Sequence, residues 1–277
     1  MKHIEGSFRG YRDYNLYYQS WLPSGIPRAI LLIVHGLHEH SGRYTNLVDY
    51  FISEGYAIYS FDLRGHGRSE GLPGYVERFW YYLYDLKAFF DLVRSEYSDT
   101  RIFLLGHSMG GTIVVTYAID HQNEFVGLLV SGALLEPGSN ITKALMVIAR
   151  ILSVLAPRMG TTEIDTTTIS HDQAVVDAYV NDPLVYQGKI RARQGAELIK
   201  MYQKLPYDIE KITLPVLIMH GDSDRLVDPE GSHMLYERLG SRDKTLKLYG
   251  GFYHEVFNEP GRKQVFDDMK TWLGSHI

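Results

Sequence analysis

The chain has 277 residues, of which 45% are hydrophobic and 22% charged, and its formal net charge is −5 at pH 7. An acidic balance of this kind argues against binding nucleic acid or anionic lipid through a broad basic surface. The sequence contains no cysteine, which excludes disulfides and thiolate metal sites. Its length suits one α/β core that carries an insertion.

Residues 1–11 are polar and charged and lack the apolar core of a signal peptide. The longest apolar stretch, residues 141–156, contains Lys143 and Arg150, and it is shorter than the roughly 20 residues that span a bilayer. These features predict a cytoplasmic protein without a membrane-spanning segment, and the absence of cysteine permits a reducing compartment without requiring one.

The first elements are two antiparallel edge strands, indicated by the alternation of side chains before Gly10 and from Leu16 to Leu22. From Ala29 onward the apolar runs are nearly continuous, which is typical of strands buried on both faces of a parallel sheet. These runs are residues 30–34, 57–61, 102–105, 126–130, 214–219 and 245–249, and stretches of helical length lie at 44–54, 79–96, 110–121 and 262–273. Their alternation predicts a mostly parallel central sheet flanked by helices.

The alternation stops after the sixth strand. Residues 136–204 contain helical periodicities but no good strand, and the strand pattern resumes near residue 214. We therefore predict an α/β core at 1–135 and 205–277, with a helical cap inserted at 136–204.

The strongest chemical signal is the run Gly106-His107-Ser108-Met109-Gly110-Gly111, which follows a buried strand and precedes a helix. A strand, a sharp glycine-flanked turn and a helix are the context of a nucleophile elbow, and the glycines let helix and strand approach closely. Ser108 is therefore predicted to be a nucleophile.

A serine hydroxyl needs a base to take its proton and an acid to orient that base. On this fold the acid and then the histidine come after later strands. His254 follows the last strand in a glycine-containing loop and is the predicted base. Asp222 and Asp224 follow the preceding strand and are equally placed, whereas Asp228 precedes Pro229 and is explained as a helix cap.

The negative charge that develops on an ester oxygen needs hydrogen-bond donors. One donor is predicted to be the backbone N–H of Met109, at the start of the helix after the nucleophile. The other is predicted to be the N–H of Leu37, in the loop His35-Gly36-Leu37 after the first parallel strand.

With these residues assembled, the chain resembles the monoacylglycerol lipase group of the α/β-hydrolase family over nearly its whole length. The motifs that carry the resemblance are residues 35–44 (HGLHEHSGRY), 61–69 (FDLRGHGRS), 106–111 (GHSMGG), 221–226 (GDSDRL) and 253–254 (YH). The group's Gly-x-x-Asp pattern falls on Asp224, so the resemblance selects Asp224 over Asp222. At Leu37 and His38 this sequence departs from the group, in which a small residue and a glycine are usual.

The resemblance also implies a polar pocket for the glycerol head of the substrate. Its residues fall on Glu39, Arg43, His107 and Tyr179 here. From the residues alone, Glu39 and Arg43 are equally well explained as a surface ion pair at a helix start, and Tyr179 as packing.

Apolar residues at helical spacing within 141–156, among them Leu145 and Ile148, predict a helix that is apolar nearly all round. Such a helix is either buried in a core or, above the strand ends, lines an acyl tunnel and contacts membranes or micelles. We predict that Leu145 and Ile148 line the acyl tunnel and bind substrate.

The resemblance implies hydrolysis of monoacylglycerols through an acyl-enzyme, with a lipid ester as substrate and with no metal or organic cofactor. A general carboxylesterase, a lysophospholipase, a thioesterase or a cofactor-free haloperoxidase would use the same triad. Dehalogenases and epoxide hydrolases of the fold have Asp at the position of Ser108. A silent binding protein on this scaffold is the alternative from another class.

Overall fold

The architecture is built on an eight-stranded sheet, seen in a computed structural model that describes residues 1–136 and 143–277 and omits the side chains of residues 143–145. The strands are β1 (Lys2–Arg9), β2 (Asn15–Leu22), β3 (Ile30–Val34), β4 (Ala57–Phe61), β5 (Ile102–His107), β6 (Gly127–Ser131), β7 (Gly160–Thr162), β8 (Ile190–Arg191), β9 (Val216–Gly221) and β10 (Lys244–Tyr249).

The eight strands of the main sheet lie in the order β1-β2-β4-β3-β5-β6-β9-β10. The first two pairs of neighbours, β1 with β2 and β2 with β4, are antiparallel, and all other neighbours are parallel. This confirms the predicted mostly parallel sheet. It also brings the carboxyl ends of β3, β5, β9 and β10 to one edge, where ligands bind in such sheets.

The sheet is buried because helices cover both of its faces. Alternate residues of β3 enter different cores: Ile30 and Leu32 pack with residues of the second and third helices, while Leu31 and Ile33 pack with the first and last. Both faces are therefore apolar, which explains the continuous apolar runs. The helices are α1 (Thr45–Ser53), α2 (Trp80–Glu96), α3 (Met109–His121), α4 (Lys143–Leu155), α5 (Gln173–Asn181), α6 (Ala192–Lys204), α7 (Glu230–Arg238) and α8 (Lys263–Ser275), supplemented by short 3-10 turns.

The interval between β6 and β9 contains α4, α5 and α6, as predicted for a helical insertion after the sixth strand. The prediction of no strand there is wrong, since β7 and β8 form a small antiparallel sheet of their own. These strands have three and two residues, too few for an alternating pattern to be read. The boundaries 136 and 204 stay a prediction.

Within the described ranges, no helix is both long enough and apolar enough to cross a membrane.

Candidate active site

Ser108 lies in the sharp turn between β5 and α3, with φ 54° and ψ −121°. Residues other than glycine rarely adopt this backbone conformation. It costs on the order of 1–3 kcal/mol and persists where the surrounding structure imposes it. A Cβ at Gly106 would meet the Gly110 carbonyl, and a Cβ at Gly110 would meet the Val34 carbonyl. The Ser108 N–H donates to the Ser131 carbonyl at 2.9 Å, which fixes the turn against β6.

His254 lies in the loop after β10, and its Nδ1 is 2.7 Å from Asp224 Oδ2. The other carboxylate oxygen of Asp224 accepts from the backbone N–H groups of Leu226 at 2.8 Å and Val227 at 3.0 Å. Asp222 is exposed, and its carboxylate accepts from a backbone N–H of the loop after β10. Of the two acids that spacing left open, Asp224, which the resemblance selects, is the one that reaches His254.

The electrostatics of this pair suit a base. Burial raises the pKa of Asp224, but the charges and hydrogen bonds of His254 and His220 outweigh burial and hold that pKa well below its ordinary value. Burial lowers the pKa of His254, whereas the charge and hydrogen bond of Asp224 raise it more, so that it lies above its ordinary value. An ionised Asp224 therefore stabilises the imidazolium that forms when His254 takes a proton.

Ser108 and His254 line one cavity of about 720 Å³. Since Nδ1 of His254 faces Asp224, Nε2 is the ring nitrogen that this carboxylate leaves available. The hydrogen bonds within residues 1–136 and 143–277 include none between Ser108 Oγ and His254, a contact that often tightens only when substrate is bound.

The loop after β3 approaches the nucleophile closely. A Cβ at Gly36 would come within 2.8 Å of Glu39 Oε1 and 3.0 Å of Ser108 Cβ. Leu37 follows Gly36 and lines the same cavity, and Met109 is the first residue of α3, whose N–H has no partner inside the helix. In the part of the chain that the structure describes, neither the Leu37 nor the Met109 N–H donates a hydrogen bond.

Glu39 and Arg43 do not form a surface ion pair, because less than a tenth of each side chain is exposed. Arg43 donates one N–H to Glu39 at 3.3 Å and two to Glu255, at 2.5 and 2.9 Å. Its guanidinium also lies 4.5 Å from the ring centroid of Tyr179. Burial raises the pKa of Glu39, and the pKa of Glu255 is lowered because the Arg43 charge outweighs its burial.

Glu39 also holds the loop after β3. Its Oε1 accepts from the Gly36 N–H at 2.6 Å and from the Tyr44 hydroxyl at 2.9 Å. Glu255 was missed by the sequence reasoning, although it directly follows His254. Its pairing with Arg43 joins residues 212 positions apart, which no local pattern reveals.

The other predicted binding residues divide into three groups. Four of them line the cavity: Glu39, His107, Tyr179 and Ile148. Arg43 does not line the cavity and lies behind its wall, where it contacts Glu39. Burial lowers the pKa of His107 to about 3, so its imidazole is neutral. The side chain of Leu145 lies outside the described part of the structure.

No group of three or more His, Asp or Glu side chains that could hold a metal ion occurs among residues 1–136 and 143–277.

Known proteins are similar to this chain over most of its length. The family model described as serine aminopeptidase, S33 matches residues 25–261. A monoacylglycerol lipase of Mycolicibacterium smegmatis is 36% identical over 273 residues, which are 99% of this chain and 98% of that protein. The chain belongs to the monoacylglycerol lipase-like family of α/β-hydrolases. This confirms the resemblance that the motifs indicated.

Two further members of the family support this assignment. The human monoglyceride lipase is 32% identical over 261 residues, covering 93% of this chain and 86% of that protein. The crystal structure of a soluble variant of the Saccharomyces cerevisiae monoglyceride lipase, in complex with a substrate analog, superposes with a TM-score of 0.89 at 30% identity. That comparison covers 100% of this chain and 95% of the yeast chain, so the α/β-hydrolase fold is confirmed.

Two further histidines, His38 and His66, are buried in the loops after β3 and β4. The Nε2 atoms of His38 and His66 are buried and have no hydrogen-bond partner among the described residues. Burial, with a smaller effect of the His66 charge, lowers the pKa of His38 to about 3, and burial lowers that of His66 to about 4. His38 also has a φ of 69°, a conformation that favours glycine.

We predict that His38→Gly makes stability less sensitive to acid. Because the folded-state pKa of about 3 lies below the unfolded value, the unfolded chain takes up a proton first and stability falls as the pH drops below about 6.5. At pH 5 this costs about 2 kcal/mol for one such histidine. Urea unfolding at pH 7.5 and pH 5 should show a loss smaller by about that amount in the variant.

His38→Asn is the matched control, since it tolerates positive φ and also removes the titrating group. It should reduce the pH dependence equally while differing in absolute stability. A wild-type pH dependence in both variants would contradict the prediction.

Proposed function

We propose that this protein cleaves monoacylglycerols to glycerol and a free fatty acid through an acyl-enzyme on Ser108. The observation that carries the proposal is the meeting of three features at one cavity: Ser108 in a strained turn, His254 bound to Asp224 at 2.7 Å, and a mainly apolar wall. Monoacylglycerol lipases among the relatives support the choice of substrate.

In the first half of the reaction, Ser108 Oγ attacks the ester carbonyl while its proton passes to Nε2 of His254. Asp224, on Nδ1, stabilises the imidazolium. The oxyanion accepts hydrogen bonds from the N–H groups of Leu37 and Met109, which have no other acceptor within the described ranges. As the carbon–oxygen bond to glycerol breaks, His254 returns the proton to the departing oxygen.

In the second half, water takes the place that glycerol has left. His254 removes a proton from this water, whose oxygen attacks the acyl carbonyl, and the proton then passes to Ser108 Oγ as the ester bond to the enzyme breaks. The fatty acid is released and the starting state is restored. The chemistry needs no metal or organic cofactor, because the protein supplies base, nucleophile and oxyanion donors.

We assign the polar and the apolar residues of the cavity wall to the two ends of a monoacylglycerol. Glu39, His107 and Tyr179 provide polar groups for glycerol near Ser108. Arg43 acts from behind the wall by holding Glu39 and Glu255. The apolar wall, to which α4 contributes Ile148, Ala149 and Leu152, accommodates the acyl chain, and we assign Leu145 to the same role.

The first test combines active-site labelling with a substrate panel. We expect a fluorophosphonate probe to label the wild-type protein at Ser108 and not the Ser108→Ala variant, because the strained serine and its base form an activated nucleophile. Liquid chromatography and mass spectrometry should then show faster release of fatty acid from monoacylglycerols than from lysophospholipids, p-nitrophenyl esters or acyl thioesters.

Each contrary outcome has a distinct meaning. A folded wild-type protein that is never labelled would be a binding protein on a hydrolase scaffold. A labelled protein that prefers lysophospholipids or thioesters would be a serine hydrolase of another specificity.

The acyl region is tested by chain length. Ile148→Ser and Leu152→Ser replace apolar surface in the cavity wall, so kcat/KM for a long-chain monoacylglycerol should fall by about ten-fold while that for an acetate ester changes little. Ile151→Ser is the matched control for Ile148→Ser, because both residues are on α4 and 51% exposed, but Ile151 does not line the cavity. Equal losses on long and short esters, measured below their micelle concentrations, would refute the assignment.

The outer face of α4 is proposed to contact membranes or micelles. The exposed apolar residues of α4 are Val147, Ile148, Ile151, Val154 and Leu155, with Val154 and Leu155 exposed by 70% and 78%. Exposed apolar residues clustered on one helix suit an interface with lipid. With this contact, we propose a cytoplasmic protein that associates with membranes peripherally. The cysteine-free composition is compatible with a reducing compartment.

Replacing Val154 and Leu155 together with serine tests this contact. We expect slower hydrolysis of monoacylglycerol presented in vesicles and weaker vesicle sedimentation, with unchanged hydrolysis of a dissolved short ester, because only the interfacial apolar area is lost. Ile26→Ser is the control, since Ile26 is 94% exposed and lies before β3, outside α4. Vesicle binding equal to wild type in the double variant would exclude the contact.

A further inference from the structure

A second histidine, His220, contacts the same carboxylate oxygen of Asp224 that His254 contacts. His220, in β9, is fully buried, and its Nε2 is 3.0 Å from Asp224 Oδ2 and 3.2 Å from the Val227 carbonyl oxygen. Its Nδ1 is 2.7 Å from the hydroxyl of Ser232, which is also fully buried and belongs to α7. The triad mechanism does not use either residue.

The partners fix the tautomer of this imidazole. Nε2 of His220 faces a carboxylate oxygen and a carbonyl oxygen, both acceptors, so Nε2 carries the hydrogen. In that tautomer Nδ1 accepts the hydrogen bond that Ser232 donates. A hydroxyl that donates to one ring nitrogen polarises the ring and strengthens donation from the other.

Oδ2 of Asp224 therefore receives two N–H donors, one from His254 and one from His220. Two donors on one oxygen compete for the same negative charge. We infer that His220 is a positioning residue that fixes the Asp224 carboxylate against His254 and limits the negative charge that this carboxylate presents to the imidazole. The inference rests on the proposed hydrolytic function.

Other charged and titratable groups also face His254. The ring of His107, in β5, lies 4.7 Å from its ring, and the charges of Glu255 and Glu39 favour its protonated form. Arg43 neutralises part of both carboxylates. None of these groups contacts His220 or Ser232, so substitutions at those two positions leave them in place.

The inference predicts a shifted pH profile. Without the His220 N–H, Asp224 places more of its charge on His254, which then stays protonated to higher pH. The acid limb of kcat/KM for an uncharged ester reports the base of the free enzyme. In His220→Leu this limb should move up by about one pH unit, the size expected when a hydrogen bond to a charged group is lost.

Two further variants separate this role from packing. His220→Gln retains an N–H donor toward Asp224 and should keep the acid limb near the wild-type position. Ser232→Ala removes only the hydroxyl that polarises the ring, so it should shift the limb in the same direction as His220→Leu by less. If His220→Leu does not fold, His220→Gln and Ser232→Ala still test the positioning role, because only Ser232→Ala should shift the acid limb.

Rates are normalised to the fraction labelled by the fluorophosphonate probe, so that loss of folded enzyme does not enter the profile. An acid limb at the wild-type pH in folded, normally labelled His220→Leu and Ser232→Ala would overturn the positioning role and leave the proposed function intact. A wild-type protein that neither reacts with the probe nor hydrolyses esters would overturn the proposed function itself.

Discussion

The buried carboxylate of Asp224 is the charge around which the site is arranged. A buried carboxylate is costly unless hydrogen bonds replace its lost hydration. Four donors do so here: the imidazoles of His254 and His220 on Oδ2, and two backbone N–H groups on Oδ1. The backbone donors come from the turn directly after Asp224, so the loop that follows β9 creates its own anion site.

A second buried charge cluster ties the loop after β3 to the loop after β10. Arg43 pairs with Glu39 on one side and with Glu255, the neighbour of His254, on the other. Removing one member of such a cluster leaves a buried charge unpaired. The loop after β3 and the loop that contains His254 are thereby held at a fixed separation, and the proposed catalysis depends on distances of this kind.

The segment between β6 and β9 is attached to the same two loops. The Tyr186 N–H donates to the His38 carbonyl at 2.9 Å, and the Glu255 N–H donates to the Ile169 carbonyl at 2.8 Å. His40 also contacts Asp182 at 2.9 Å. The cavity wall and the catalytic loops therefore form one hydrogen-bonded unit.

The sequence was sufficient to predict residues whose signal is local, and it did not predict contacts between residues far apart in the chain. Ser108 was predictable because strand, glycine turn and helix are contiguous, and His254 because it follows the last strand. Asp224 and Asp222 differ by two positions on one loop, so spacing did not distinguish them and the fold of that loop did. Glu255 and His220 act through partners that only the assembled sheet brings near. Four described non-glycine residues have positive φ. Ser108 and His38 belong to the loops that line the site, where the surrounding core imposes the strain, whereas Arg12 and Asp13 lie in the turn between β1 and β2.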